Sequence, residues 1–97
     1  MATEVGITQE ELAALAGPES AFWYAHNIIE GRWPPGEAVI AQNSVWAYYY
    51  AHYVIKRRWH LGEAVIATDP TWALKYFNWF QKDFTEKEQV LWLLKTA

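Results

Sequence analysis

Two short constellations carry most of the chemical potential of this 97-residue chain: Arg32-Trp33 with Glu37, and Arg58-Trp59 with Glu63. A guanidinium beside an indole, with a carboxylate four residues past the ring, could form an aromatic-and-charge pocket for a ligand. The same groups could instead brace a tight corner between two helices. The Trp would plug the corner, while the Arg and Glu satisfied backbone groups that helix ends leave open. The set occurs twice at one fixed spacing, and a catalytic pair has no need of repetition at every corner, so the sequence favours the brace.

Histidines and acids add little chemistry. His26 and His52 occupy matching positions, with Asn78 in the third place. A metal ion needs ligand nitrogens about 2.0–2.1 Å away, whereas equivalent points on stacked helices lie about 8–10 Å apart. No third ligand is evident, so neither a metal nor any other cofactor is expected. Glu10-Glu11, and likewise Glu86 and Glu88, fall in first turns of helices, where negative charge suits the helix dipole. Ser20 and Ser44 sit in or beside cap positions, and no glycine-rich phosphate loop is present. No residue is assigned a catalytic role, and the chain is not expected to be an enzyme.

An aromatic set offers more. Phe22, Trp23 and His26, and likewise Tyr48, Tyr49 and His52, share one face of their helices, roughly opposite a stripe of small residues. A one-layer stack cannot cover both faces, and an exposed aromatic patch usually marks a partner. These six are the candidate binding residues.

All of these groups are placed by an internal repeat. Aligning Trp33 with Trp59 gives a period of 26 residues and thirteen identities in 26 positions. A fainter third copy matches Trp72, Ala73 and Tyr76 to Trp46, Ala47 and Tyr50. After one deleted residue it sets Phe84 in the place of Trp59 and Glu88 in that of Glu63. Self-similarity at a fixed period marks stacked units that cannot bury their faces alone. The expected fold is a single all-α, solenoid-like domain: a cap helix in residues 1–16, repeats at 17–42 and 43–68, and a degenerate repeat with a final helix in 69–97.

Each unit reads as a long helix, a corner and a short helix. Gly17, Asn43 and Asp69 are matched N-caps, followed by Pro18, Ser44 and Pro70. Ala21, Ala25 and Ile28, and Ala47, Ala51 and Val54, recur at i, i+4 and i+7 as a stripe against the neighbouring helix, with Tyr24 and Tyr50 on its flanks. Gly31 is expected to end the first long helix in the left-handed conformation. Arg57 would then bear the strain of the same position in the second unit. Pro34 and Pro35 start a short helix over Glu37 to Ala41. Thr8 with Glu11, and Thr85 with Glu88, have capping-box spacing at the two end helices.

Composition bounds the function. Hydrophobic residues make up 53% of the chain, with seven Trp, so disorder is excluded. The net charge is −3 and the pI near 5.5, which argues against nucleic acid as the main partner. The one basic cluster, Lys56-Arg57-Arg58, reads as a solvated helix end. The apolar stretch from Val45 to Ile55 is about half of what a bilayer crossing requires, so no membrane span is expected. Without cysteine there is no disulfide framework, and with no leader pattern the cytoplasm is the expected compartment.

The segment Tyr24-Ala25-His26-Asn27-Ile28-Ile29-Glu30-Gly31-Arg32-Trp33-Pro34 resembles the "YA…vi-GRWP-E" pattern of tandem repeats in uncharacterised proteins of bacteria and their phages. The likeness covers roughly residues 18–69 well and 70–94 poorly. It implies repeat architecture and a microbial or phage setting, and no activity attaches to it. The functional expectation is a protein–protein interaction module of the inhibitor or adaptor kind, binding a protein partner or a second copy. The alternatives are a small-ligand or nucleotide-binding protein that stacks a base on the rings, and a self-assembling structural subunit.

Overall fold

A computed structural model describes residues 7–96. Helix α1 spans Gln9–Ala14. The long helix α2 (Pro18–Trp23) runs on as a π-helical turn, Tyr24–Ile29, and is followed by the short α3 (Pro34–Ile40). The second unit repeats this as α4 (Ser44–Tyr49), its π-helical turn Tyr50–Ile55, and α5 (His60–Ile66). Helix α6 (Pro70–Phe80) stays α-helical, passes through a 3₁₀ turn at Gln81–Asp83, and leads to α7 (Glu86–Thr96). No strand occurs among the described residues, and none of their helices is long and apolar enough to cross a membrane. The long helices pack side by side, α2 on α4 and α4 on α6, while α3 and α5 fold back on their own long helices. The molecule is a stack 52 × 20 × 19 Å in extent.

The local chemistry of the helix starts matches the repeat reading. Asn43 Oδ1 accepts from the amides of Val45 and Trp46, and Asp69 Oδ1 from those of Thr71 and Trp72. Gly17 has no side chain to do this, and its own amide donates instead to Ser20 Oγ at 3.2 Å. Both expected capping boxes are present: Thr8 and Glu11 exchange bonds, as do Thr85 and Glu88. Ala21, Ala25, Ala47 and Ala51 are fully buried, and Ala47 lies against Gly62 of the short helix α5, where both residues are small enough for the backbones to approach closely.

The π-helical turns explain the deletion in the third copy. An i→i+5 turn holds one residue more than an α turn, and α6, one residue shorter before its corner, has none. The extra residue also rotates the remainder of the helix about its axis. Ile28, expected on the buried stripe one heptad after Ala21, is instead exposed, and Val54 is half-buried. A 3.6-residue period fails across a wider turn.

The helix ends differ from expectation by one position. Glu30 (φ 61°) and Lys56 (φ 65°) take the left-handed conformation, not Gly31 and Arg57. Each follows directly on its π-helical turn, and their amides close 2.7 Å bonds to the carbonyls of Ala25 and Ala51, five residues back. Neither cap residue is glycine, so each carries about 1–2 kcal/mol of backbone strain, partly offset because glycine would loosen the unfolded chain. Lys56→Gly should therefore raise stability by about 0.5–1 kcal/mol in chemical denaturation. Arg57→Gly should bring no gain.

Helix α1 belongs to the same register. Ile7, Glu11 and Ala14 precede Trp33, Glu37 and Ile40 by 26 residues, and α1 stops at Ala14 as α3 stops at Ile40. Burial first, then the nearby Glu11 and Glu10, raise the Tyr24 hydroxyl above its ordinary pKa.

Candidate functional site

The two corners are built alike. Trp33 and Trp59 are 4% and 3% exposed, each lying against a glycine of its own short helix. A Cβ on Gly36 or Gly62 would enter the Trp ring, so only glycine allows that approach. Arg32 grips Glu37 with two bonds, Nε to Oε2 at 2.9 Å and Nη2 to Oε1 at 3.0 Å. Arg58 grips Glu63 in the same way at 2.8 and 3.0 Å.

Each corner is locked by the next unit along the chain, which sequence reasoning missed. The Tyr50 hydroxyl donates to Glu37 Oε2 at 2.8 Å and accepts from the Trp33 amide at 2.8 Å. Tyr76 does the same for the second corner, donating to Glu63 Oε2 at 2.6 Å and accepting from the Trp59 amide at 2.9 Å. The available signal was a tyrosine 17 residues after each corner Trp. Tyr50 reads from sequence as a flank-filling ring and Tyr76 only as its match, yet each uses its hydroxyl to satisfy a carboxylate and a backbone amide at the corner. Burial first, with the adjoining carboxylates adding to it, pushes both hydroxyls well above the ordinary tyrosine pKa. Burial alone would raise Glu37 and Glu63 as well, but the hydrogen bonds from Arg and Tyr outweigh it and hold both carboxyls low.

The third corner borrows from the second. Asp83 stands where an arginine would be, and Arg58 supplies the missing charge: Nη1 donates to Glu88 Oε1 at 2.8 Å and to the Asp83 carbonyl at 3.3 Å. Its guanidinium carbon lies 3.7 Å from the centre of the Phe84 ring. The basic cluster Lys56-Arg57-Arg58 is therefore divided: Lys56 caps a helix, Arg57 is exposed, and Arg58 turns inward at 10% side-chain exposure. Arg32, without a second acid, stays 45% exposed. These groups are consumed in holding the corners.

The aromatic set divides as well. Phe22 and Tyr48 lie in the core, each covered by a Trp of the next unit: Trp46 over Phe22 at 5.4 Å and Trp72 over Tyr48 at 5.3 Å between ring centres. They do not belong to an outward face. Tyr49 and His52 are half-buried, while Trp23 and His26 are exposed. Two exposed rings were missed, Tyr53 in the second π-helical turn and Trp79 on α6. The surface ladder runs from Trp23 edge-on to Trp46 (6.3 Å), to Tyr49 (5.3 Å) and to Tyr53 (5.8 Å). It continues to His52 and Trp79 in steps of 4.3 Å.

His26 Nδ1 lies 2.8 Å from Asn27 Oδ1, and His52 Nδ1 lies 3.3 Å from the Tyr48 hydroxyl. Burial lowers the His52 pKa below its ordinary value, and the ring lies between Tyr53 and Trp79. Among the described residues no three His, Asp or Glu side chains gather into a metal-holding group. No protein-family model matches the chain, nor does any curated protein or solved structure.

Proposed function

We propose that this chain is a protein-interaction module whose partner lies across the ladder of rings on the long helices. The observation that carries the reading is the exposure of Trp23, Tyr53 and Trp79, at 43%, 51% and 59%, in one connected band. Large rings left in water cost free energy that a partner recovers, and Trp and Tyr dominate the anchors of protein interfaces. Tyr53 and His52 of the band lie in the second π-helical turn, and such turns occur frequently at functional sites. His52 packs between Tyr53 and Trp79, 4.3 Å from each ring centre, and this contact limits the side-chain freedom that binding would remove. The corner residues, by contrast, spend their hydrogen-bonding capacity on one another.

The double variant Trp23→Ala/Trp79→Ala tests the reading. It should melt within a few degrees of the parent, because neither ring belongs to the buried core and 43% and 59% of their surfaces already lie in water. The parent should retain a discrete protein from a lysate of its source, or self-associate in sedimentation, and the variant should lose that behaviour. An unchanged set of retained proteins, or a collapse of the fold, would count against the ladder as the interface.

A further inference from the structure

We propose that the groove between α6 and α7, at the end of the stack, binds a partner helix carrying the pattern Asn/Asp-x-x-Trp-Ala-x-x-Tyr. This surface is separate from the aromatic ladder, and the proposal stands without it. The repeat itself shows what the surface is shaped to receive. Positions 22, 48 and 74 are equivalent in the three long helices. In the first two units this side chain is buried beneath a Trp of the next unit, Trp46 on Phe22 and Trp72 on Tyr48. In the third unit the residue is Leu74, 58% exposed, with nothing stacked upon it among the described residues.

The groove around Leu74 continues the interface that joins unit to unit. Pro70, Leu74 and Phe77 form one wall, and Trp92, Leu93 and Thr96 form the other. Trp92 is fixed there by its indole N–H, which donates to the Ala73 carbonyl at 3.2 Å. Leu93 is 50% exposed.

Within the molecule, two helices already dock on the equivalent surface, and they share a pattern. Asn43-Ser44-Val45-Trp46-Ala47-Tyr48-Tyr49-Tyr50 and Asp69-Pro70-Thr71-Trp72-Ala73-Leu74-Lys75-Tyr76 both place a cap three residues before Trp, with Ala next and Tyr four after the Trp. In both, the Trp covers the preceding long helix and the Tyr hydroxyl reaches the preceding corner, while the Ala is buried, Ala47 lying against Gly62 of its own short helix. A second copy of the chain offers no free helix of this kind, since Trp46 and Trp72 are packed within their own stack. The occupant is therefore a helix of the repeat type borne by a partner.

The probe is a synthetic peptide with the sequence Asp69–Asp83, locked helical by a staple between the exposed positions 78 and 82, with its helicity verified by circular dichroism. It should bind the intact chain saturably in fluorescence anisotropy. Trp72→Ala in the peptide, or Leu74→Lys in the protein, should weaken binding about tenfold or more, as removal of an anchoring ring or its seat does. Leu12→Lys, an exposed site on α1, should leave binding unchanged, and the melting temperatures of both protein variants should match the parent. Absence of saturable binding by the helical peptide would overturn the proposal, as would equal binding by Leu74→Lys. Sedimentation of the chain alone supplies a further check. A dimer dissolved by Leu74→Lys would assign the groove to a second copy, and that too would overturn it.

Discussion

Trp59→Ala leaves the chain unfolded, or folded only marginally, at room temperature. The indole is buried, packed against Tyr50 at 4.7 Å between ring centres, and fills the space that Gly62 leaves open. Its amide is held by Tyr76 of the next unit, so the ring stands at the joint between two units. Truncating a buried Trp costs about 3–5 kcal/mol, and a domain of this size commonly has only about 5–10 kcal/mol in total. Gly62 makes the loss worse, because no Cβ stands ready to close the cavity. Trp59→Phe should be far milder. Phe84 already fills the equivalent place in the third corner, and the buried Trp59 Nε1 makes no more than a weak contact with Glu37, which Arg32 and Tyr50 already hold, so its removal strands little. Thermal melts of the two variants beside the parent decide the point. A Trp59→Ala protein that melts like the parent would show that the corner is not structural.

Glu63→Ala should be nearly as damaging, for an electrostatic reason. The carboxylate takes two bonds from Arg58 and one from Tyr76, and the two charged side chains are only 12% and 10% exposed. Its removal leaves a guanidinium and a hydroxyl buried with fewer partners, and breaking a buried pair from one side costs about 3–5 kcal/mol. Glu88 retains part of the hold on Arg58, which places the expected loss toward the lower end of that range. Glu37→Ala should cost less, because Arg32 is 45% exposed and can turn to water. Urea denaturation of the two variants would show this order, and equal losses would mean that burial of the arginine is not what matters.

The same groups set the response to pH. The Glu37 and Glu63 carboxyls are held below their unfolded values, so their contribution is complete above about pH 4.3 and fades as pH falls through the lowered folded values. Tyr50 and Tyr76 are raised, so their contribution is complete below about pH 10 and fades as pH climbs beyond it. Stability should therefore be level between these limits and fall on both sides.

The helices, their starts and the corners were legible from residue order. The period of 26 residues, the caps at Asn43 and Asp69, and the pairing of Arg32 with Glu37 and of Arg58 with Glu63 all depend on groups only a few residues apart or on strict repetition. Such signals survive without knowledge of the rest of the fold. The contacts between units emerged only when the chain was folded. Packing placed the Tyr50 and Tyr76 hydroxyls on the corners before them, sent Arg58 across to Glu88, and buried Phe22 and Tyr48 beneath the next unit's tryptophans. It also widened two helices into π turns, placed the left-handed caps at Glu30 and Lys56, and left Tyr53 at the surface. Two causes account for these differences. An aromatic side chain reads alike in sequence whether it faces water or a neighbour, and a helical period of 3.6 residues gives the right face only while the turn keeps its width.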